Sequence, residues 1–284
     1  MRKALIQQIA VLAAAGALLA GCASSGNAGA SPAAGAKASG STGASGSPSA
    51  TSSGSPDPTG SSDGASSSST DDGGSDRFSS VVDSCKDAPT NIKNPNLTWP
   101  SEPAMSINTS KNYTMTLHTN CGDIVIKMNA AKTPHTVNSF KFLASKNYFN
   151  GSFCYGMSTS ADPKSLWCGD ATVGPDRKDT DGLGTPGYSL ADENLAGATY
   201  PAGTVAMINK YTPNTNGSQF FLVYADSQIP PKYTPFGFVT QGLDILKKVA
   251  DAGISEGTAY QINGGTLGAP NQPVELESVS VTAS

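Results

Sequence analysis

The run Asn214-Thr215-Asn216-Gly217-Ser218-Gln219-Phe220-Phe221, entered through Pro213, decides how this chain is read. Pro, Asn and Gly cluster there as a tight turn, and the sequence then changes abruptly to Gln219-Phe220-Phe221-Leu222-Val223. A loop feeding a buried strand is expected. The loop presents backbone and amide groups, and the strand presents one carboxamide, Gln219, beside alternating apolar side chains.

Working outward, Tyr113–His118 and Asp123–Met128 alternate around Thr119-Asn120-Cys121-Gly122, which predicts a hairpin. Lys132–Leu143 predicts a helix: Thr133 is placed to cap it, Pro134 suits its first turn, and Val137, Phe140, Phe142 and Leu143 make an apolar face. Strands are expected near Ser152–Tyr155 and Leu166–Asp170, followed by a Gly-rich connection from Gly182 to Tyr188. Thr204–Met207, Phe220–Val223 and Phe236–Val239 read as buried strands, and Leu243–Ala250 as a second amphipathic helix. The chain closes on the alternating strand Val274–Val281, with Glu275 and Glu277 expected on its solvated face.

The run from Asn214 to Phe221 closely resembles the central signature of the cyclophilins, the peptidyl-prolyl cis-trans isomerases. The helix from Lys132 and the segment Ala191-Asp192-Glu193-Asn194 resemble further parts of that family, and the likeness covers about Tyr113 to Thr282. It implies a mainly β fold: a closed eight-stranded antiparallel barrel capped by two helices. It also implies that Gln219 and Phe221 line a proline pocket and that Asn209, in Met207-Ile208-Asn209, pairs with the substrate backbone.

Where the family carries its catalytic Arg, two residues after a Phe, this chain has Tyr155 in Phe153-Cys154-Tyr155-Gly156. Trp167, in Leu166-Trp167-Cys168-Gly169-Asp170, falls at a family Gln, with the family's Phe-Met pair near Lys164 and Ser165. Tyr233 replaces a pocket His. A phenol donates one hydrogen bond but brings neither a charge nor a forked donor set. Rotating an amide costs about 18–20 kcal/mol through lost resonance, and neither a nucleophile, a metal nor a cofactor is needed to lower that barrier. Two readings follow from the resemblance: an isomerase weakened at Tyr155, or a non-catalytic proline-segment binding module or folding chaperone on the same fold.

The start of the chain gives an address. Arg2 and Lys3 precede an apolar run from Ile9 to Leu19, and Leu19-Ala20-Gly21-Cys22 looks like a bacterial lipobox. Residues 1–21 then form a lipoprotein signal and Cys22 carries lipid, placing the protein outside the cytoplasm on the cell membrane; an uncleaved anchor is the competing reading. Residues 22–76 are almost all Ser, Gly, Ala, Thr, Pro and Asp, with nothing to bury, so they read as a disordered tether with a root-mean-square reach of roughly 40 Å. Residues 77–112, with Trp99 and four prolines (Pro89, Pro95, Pro100, Pro103), read as an extension packed on the domain of residues 113–284.

The net charge is -4, and removing Arg2 and Lys3 with the signal makes it more negative. With no basic block, the chain is a poor nucleic-acid binder; the expected partners are proline-containing segments, and a monomer is expected. Besides Cys22, the exported chain has Cys85, Cys121, Cys154 and Cys168, which allow two disulfides. Zinc is the alternative, but there is no CxxC pair and neither His118 nor His135 has ligand-like spacing. Cys154 and Cys168 flank a loop between two expected strands, which suits a bridge across a hairpin. Cys85 is then left to pin the extension through Cys121.

Overall fold

The structure is a computed structural model and describes residues 80–89, 97–160, 162–176, 178–258, 260–262 and 265–284. The signal, Cys22 and the tether of residues 22–76 lie outside the described residues.

Period-two alternation builds the first hairpin. β1 (Tyr113–Thr119) and β2 (Gly122–Met128) pair antiparallel, from Tyr113 opposite Met128 to Thr119 opposite Gly122. Met115, Leu117, Ile124 and Ile126 are buried, while the residues between them are wholly or partly exposed. Helix α1 (Pro134–Ser145) adds Val137, Phe140 and Leu143 to the same core.

Thr133 does not cap α1 as the sequence suggests. Its hydroxyl donates back to Asn129 O at 2.7 Å. The first-turn donors go instead to Glu193, whose carboxylate accepts from His135 N at 3.1 Å, Thr136 N at 2.9 Å and Thr136 Oγ1 at 2.8 Å. A carboxylate there satisfies orphan N–H groups and meets the positive end of the helix dipole.

The chain continues through β3 (Ser152–Phe153), β4 (Gly156–Ser158), β5 (Ser165–Cys168), β6 (Thr204–Met207), β7 (Phe220–Val223) and β8 (Pro235–Gln241). Helix α2 (Leu243–Asp251), the hairpin β9 (Tyr260–Ile262) and β10 (Gly265–Gly268), and β11 (Glu275–Ala283) complete it. Among the described residues eleven strands form one antiparallel sheet in the order β3-β11-β1-β2-β8-β6-β7-β5-β4-β10-β9. The expected closed eight-stranded barrel is therefore corrected to a curled, open sheet.

The reason lies between Ser152 and Gly156. Phe153 and Tyr155 donate their N–H groups to Val173 O and Trp167 O, whereas Cys154 donates to Val274 O. Successive residues turn to opposite neighbours, so β3 ends after two residues as an edge and β4 begins on another ladder. The strands β4, β9 and β10 are additions to the sequence reading; at three or four residues they carry too little alternation to be recognised.

One face of the sheet holds the main core. Phe140 stacks on Phe236 and Phe149 at centroid distances of 4.7 and 5.5 Å and meets Phe220 edge-on at 5.5 Å. Leu166 and Cys168 of β5, Val205 and Met207 of β6, and Phe220 and Leu222 of β7 belong to it. The intervening residues Trp167, Ala206, Phe221 and Val223 form a separate apolar cluster on the other face. Strand alternation alone makes this second surface.

Two disulfides join Cys85 to Cys121 and Cys154 to Cys168. The first ties the segment before the domain to the β1–β2 turn, where Lys86 N donates to Asn120 O and Asn120 Nδ2 to Lys86 O. Further along, Trp99 packs edge-on against Phe142 at 5.0 Å, and Asn138 holds Ser106, Pro103 and Ala104 through its carboxamide.

Glu275 departs from the expected solvated face. It is only 5% exposed, and its Oε2 has no hydrogen-bond partner among the described residues. It lies opposite Phe153 of the edge strand, whose apolar side chain excludes water from that end of β11. Burial, with the Glu277 carboxylate adding, pushes its pKa up to about 7.

Candidate active site

An apolar cluster on the outer face is assembled by register. Trp167 of β5 lies opposite Phe221 of β7, and Ala206 of β6 lies opposite Phe221 on its other side. Phe221 is 2% exposed within it. Tyr233 meets it edge-on at 5.5 Å and Tyr200 at a tilt at 6.3 Å, with Ile208 and Ile229 packed around them. Tyr200 accepts the Tyr233 N–H at 3.1 Å and donates its hydroxyl to Tyr233 O at 2.8 Å, so it sets the position of Tyr233. Burial raises the pKa of both phenols, which keeps them neutral and donor-competent.

Trp167 is part of the apolar wall. Its indole N–H donates to Ser165 Oγ at 2.9 Å, so the ring presents carbon to the cluster. Lys164 and Ser165, where the family's Phe-Met pair is expected, contribute no apolar group: Lys164 pairs with Asp162 at 3.2 Å and Ser165 is fully buried.

Gln219 stands on the same face two residues before Phe221, a spacing of roughly 6.6 Å along a strand. Its Nε2 donates to Gly182 O at 2.8 Å and to Gly184 O at 2.7 Å, and its Oε1 accepts from Tyr155 OH at 2.5 Å. The carboxamide is thus fixed in one orientation. Asp170, fully buried, holds the facing loop by accepting from Gly182 N at 2.9 Å and Gly184 N at 2.8 Å. Gly182 has φ +85°, and a Cβ there would lie 2.9 Å from Cε2 of Tyr155, so only glycine lets this loop approach the phenol. Tyr155 also meets Trp167 edge-on at 6.4 Å, which links the polar end to the apolar wall.

Asn209 lies beyond Ile208, whose N–H donates to Gln219 O at 2.9 Å. Asn209 Nδ2 donates to Lys232 O at 2.7 Å, while Oδ1 is buried with no hydrogen-bond partner among the described residues. An acceptor held in this state favours an incoming N–H.

The structure therefore gathers Tyr155, Trp167, Phe221, Tyr233, Gln219 and Asn209 along one face of β5–β7–β6 and its flanking loops. Cys154 and Cys168 bond beneath it; Cys85 and Cys121 lie in the extension contact, and Cys22 is outside the described residues. Sequence reading missed Tyr200, Ile229 and the carbonyls of Gly182 and Gly184. Backbone acceptors leave no side-chain signature, and Tyr200 comes to Phe221 only through the fold. The arrangement sets an apolar cluster beside a clustered amide and phenol, with no ionisable acid or base among the described residues of that cluster apart from phenols.

A family model described as cyclophilin type peptidyl-prolyl cis-trans isomerase/CLD matches residues 114–281. The chain is 42% identical over 174 residues to the probable peptidyl-prolyl cis-trans isomerase B of Mycobacterium leprae, covering 57% of this chain and 54% of the relative. The Mycobacterium tuberculosis protein of the same name is 38% identical over 193 residues, covering 63% and 56%. The chain thus spans little more than half the length of these mycobacterial relatives. Peptidyl-prolyl cis-trans isomerase-like 3 of Homo sapiens is 32% identical over 156 residues, covering 52% of this chain and 89% of the relative. A crystal structure of a Cryptosporidium parvum cyclophilin type peptidyl-prolyl cis-trans isomerase aligns with TM-score 0.48 at 20% identity, over 61% of this chain and 99% of that one.

Proposed function

The chain belongs to the cyclophilin-type peptidyl-prolyl cis-trans isomerase family, and from that premise we propose that it catalyses cis–trans exchange of X–Pro bonds in exported polypeptides. The observation that carries this reading is the apolar cluster around Phe221 placed beside the Gln219–Tyr155 pair. A proline ring packs on this cluster against Phe221, Trp167 and Tyr233, away from water. The flanking peptide backbone pairs with Asn209. As the X–Pro amide twists it loses conjugation, its nitrogen becomes a better acceptor and its carbonyl rotates. Donors that fit that geometry better than the planar one lower the barrier.

Tyr155 is the donor assigned to this position, and its O–H now donates to Gln219 Oε1. Transfer of that hydrogen bond to the twisted amide leaves Gln219 anchored by Gly182 and Gly184. A neutral phenol supplies less than a charged fork, and losing one charged hydrogen bond costs about 3 kcal/mol, or about a hundredfold in rate. Activity is therefore weaker than in family members with the Arg. Lipid on Cys22 and the tether of residues 22–76 hold the domain at the outer side of the cell membrane, where unfolded exported segments pass.

The second reading is a binding module that retains proline segments without turning them over. It is favoured by the same carboxamide, whose two N–H groups and oxygen are all engaged within the protein. A coupled assay of prolyl-peptide isomerisation separates the two. Acceleration by the wild type that disappears in Gln219→Ala and Phe221→Ala, each verified as folded by near-ultraviolet circular dichroism, supports the enzyme. A wild type no faster than the uncatalysed rate at micromolar protein removes it.

A further inference from the structure

The outer face continues past the Phe221 cluster onto the next strands. Lys127 of β2 lies opposite Phe238 of β8, and Phe238 lies opposite Thr204 of β6. This cross-strand row floors a cavity of about 720 Å3, walled by the segments 109–112, 129–132 and 194–201. Lys111, Lys127 and Lys132 line it, and among the described residues no Asp or Glu does. None of the three ammonium groups has an ion-pair partner among the described residues. All three are exposed, so their charges are available to an anionic ligand in a chain whose net charge is -4.

Phe238 is 48% exposed, yet it is held in place. Its ring lies over Gly203, where a Cβ would come within 2.7 Å of Cζ, and φ +96° there also calls for glycine. One side of the ring rests on backbone and the other is open to the cavity. Asn129 and Asn194 also line it, with Asn129 Oδ1 accepting from Lys132 N at 3.2 Å and Asn194 Nδ2 donating to Pro235 O at 3.1 Å, which leaves each carboxamide with one unused polar atom among the described residues.

We propose that this cavity binds an anionic glycan, a chain of sugar units bearing acidic groups. An exposed aromatic face stacks on the C–H face of a sugar ring, and lysines bind anionic groups as point charges without demanding a forked geometry. Amides match sugar hydroxyls. An extended acidic peptide is a poorer occupant, because β2, β8 and β6 each have a neighbour on both sides and offer no free strand edge to a peptide backbone. A neutral glycan leaves the lysines unused. The site is independent of the isomerase reading, although Ala198 lines this cavity and also packs on the Phe221 cluster.

Isothermal titration of the full chain with an octamer of galacturonic acid tests this, with malto-octaose and poly-glutamate as the comparison ligands. The galacturonate octamer binds saturably and more tightly than poly-glutamate, more weakly as salt rises, and malto-octaose does not bind. Lys127→Glu with Lys132→Glu weakens binding by at least about tenfold, and Phe238→Ala by roughly tenfold, with folding verified by near-ultraviolet circular dichroism. Absence of saturable galacturonate binding overturns the proposal, as does binding indifferent to the lysine variants. Poly-glutamate binding equal to galacturonate, with Phe238→Ala unchanged, reduces the cavity to a charge patch and overturns the glycan assignment.

Discussion

Tyr155 concentrates the chemistry into one side chain. Its hydroxyl fixes Gln219, its ring meets Trp167, and Gly182 presses on it from the facing loop. Replacing it by Arg supplies charge and donors used mainly in the twisted state, so kcat/KM rises while KM changes little. We expect a gain between about ten- and a hundredfold, measured by steady-state kinetics on a prolyl peptide. Because the space beside Gly182 is tight, the paired Tyr155→Arg, Trp167→Gln variant covers the case in which the indole blocks the guanidinium. If neither gains activity while both fold and bind peptide, another group is responsible.

Glu275 makes an independent test at the same scale. Its pKa is raised from 4.5 to about 7 by burial first and by Glu277 second. A raised folded-state value means that the native protein holds a proton the unfolded chain releases. Stability is therefore greatest below about pH 4.5 with respect to this group, falls as pH rises to about 7, and levels off above. Glu275→Gln removes that slope. Denaturant unfolding should show a gain on the order of 2 kcal/mol at pH 8 and little change at pH 4. Equal effects at both pH values would contradict the burial account.

Among the elements, legibility followed pattern strength. The hairpin Tyr113–Met128 and helix α1 were readable because seven-residue alternation or helical periodicity is hard to mistake, and the four-residue strands β6 and β7 because each is a short, mostly apolar run entered through a turn. β4 and the β9–β10 hairpin were not, being too short for a period to declare itself. The α1 cap was misplaced for a different reason: Thr133 has the right type and position, but Asn129 O competes for its hydroxyl and Glu193 arrives from 57 residues away. Glu193→Ala should accordingly cost about 1–2 kcal/mol in thermal or denaturant unfolding, by loss of N–H partners and of a charge at the helix terminus. A loss within error would remove Glu193 as the cap.

At the scale of the whole molecule, one sheet serves two purposes through alternation. Its inner residues build the aromatic core around Phe140, and its outer residues build the cluster around Phe221. The run Asn214–Phe221 points to Gln219 and Phe221 as pocket candidates through its resemblance to the cyclophilin signature, while its turn-then-apolar pattern accounts for the loop and strand alone. Their surroundings were not legible, since Gly182, Gly184 and Tyr200 come from the long β5–β6 connection and Ile229 from the β7–β8 connection.

The central claim is that this site turns X–Pro bonds over rather than only holding them. Two-dimensional exchange NMR of a prolyl peptide with a catalytic amount of the full chain tests it most directly, since uncatalysed exchange takes tens to hundreds of seconds. The account predicts cis–trans exchange cross-peaks at sub-second mixing times with wild-type protein, absent with folded Phe221→Ala. Peptide-induced shifts around Phe221 without exchange cross-peaks would contradict it and leave a binding module in its place.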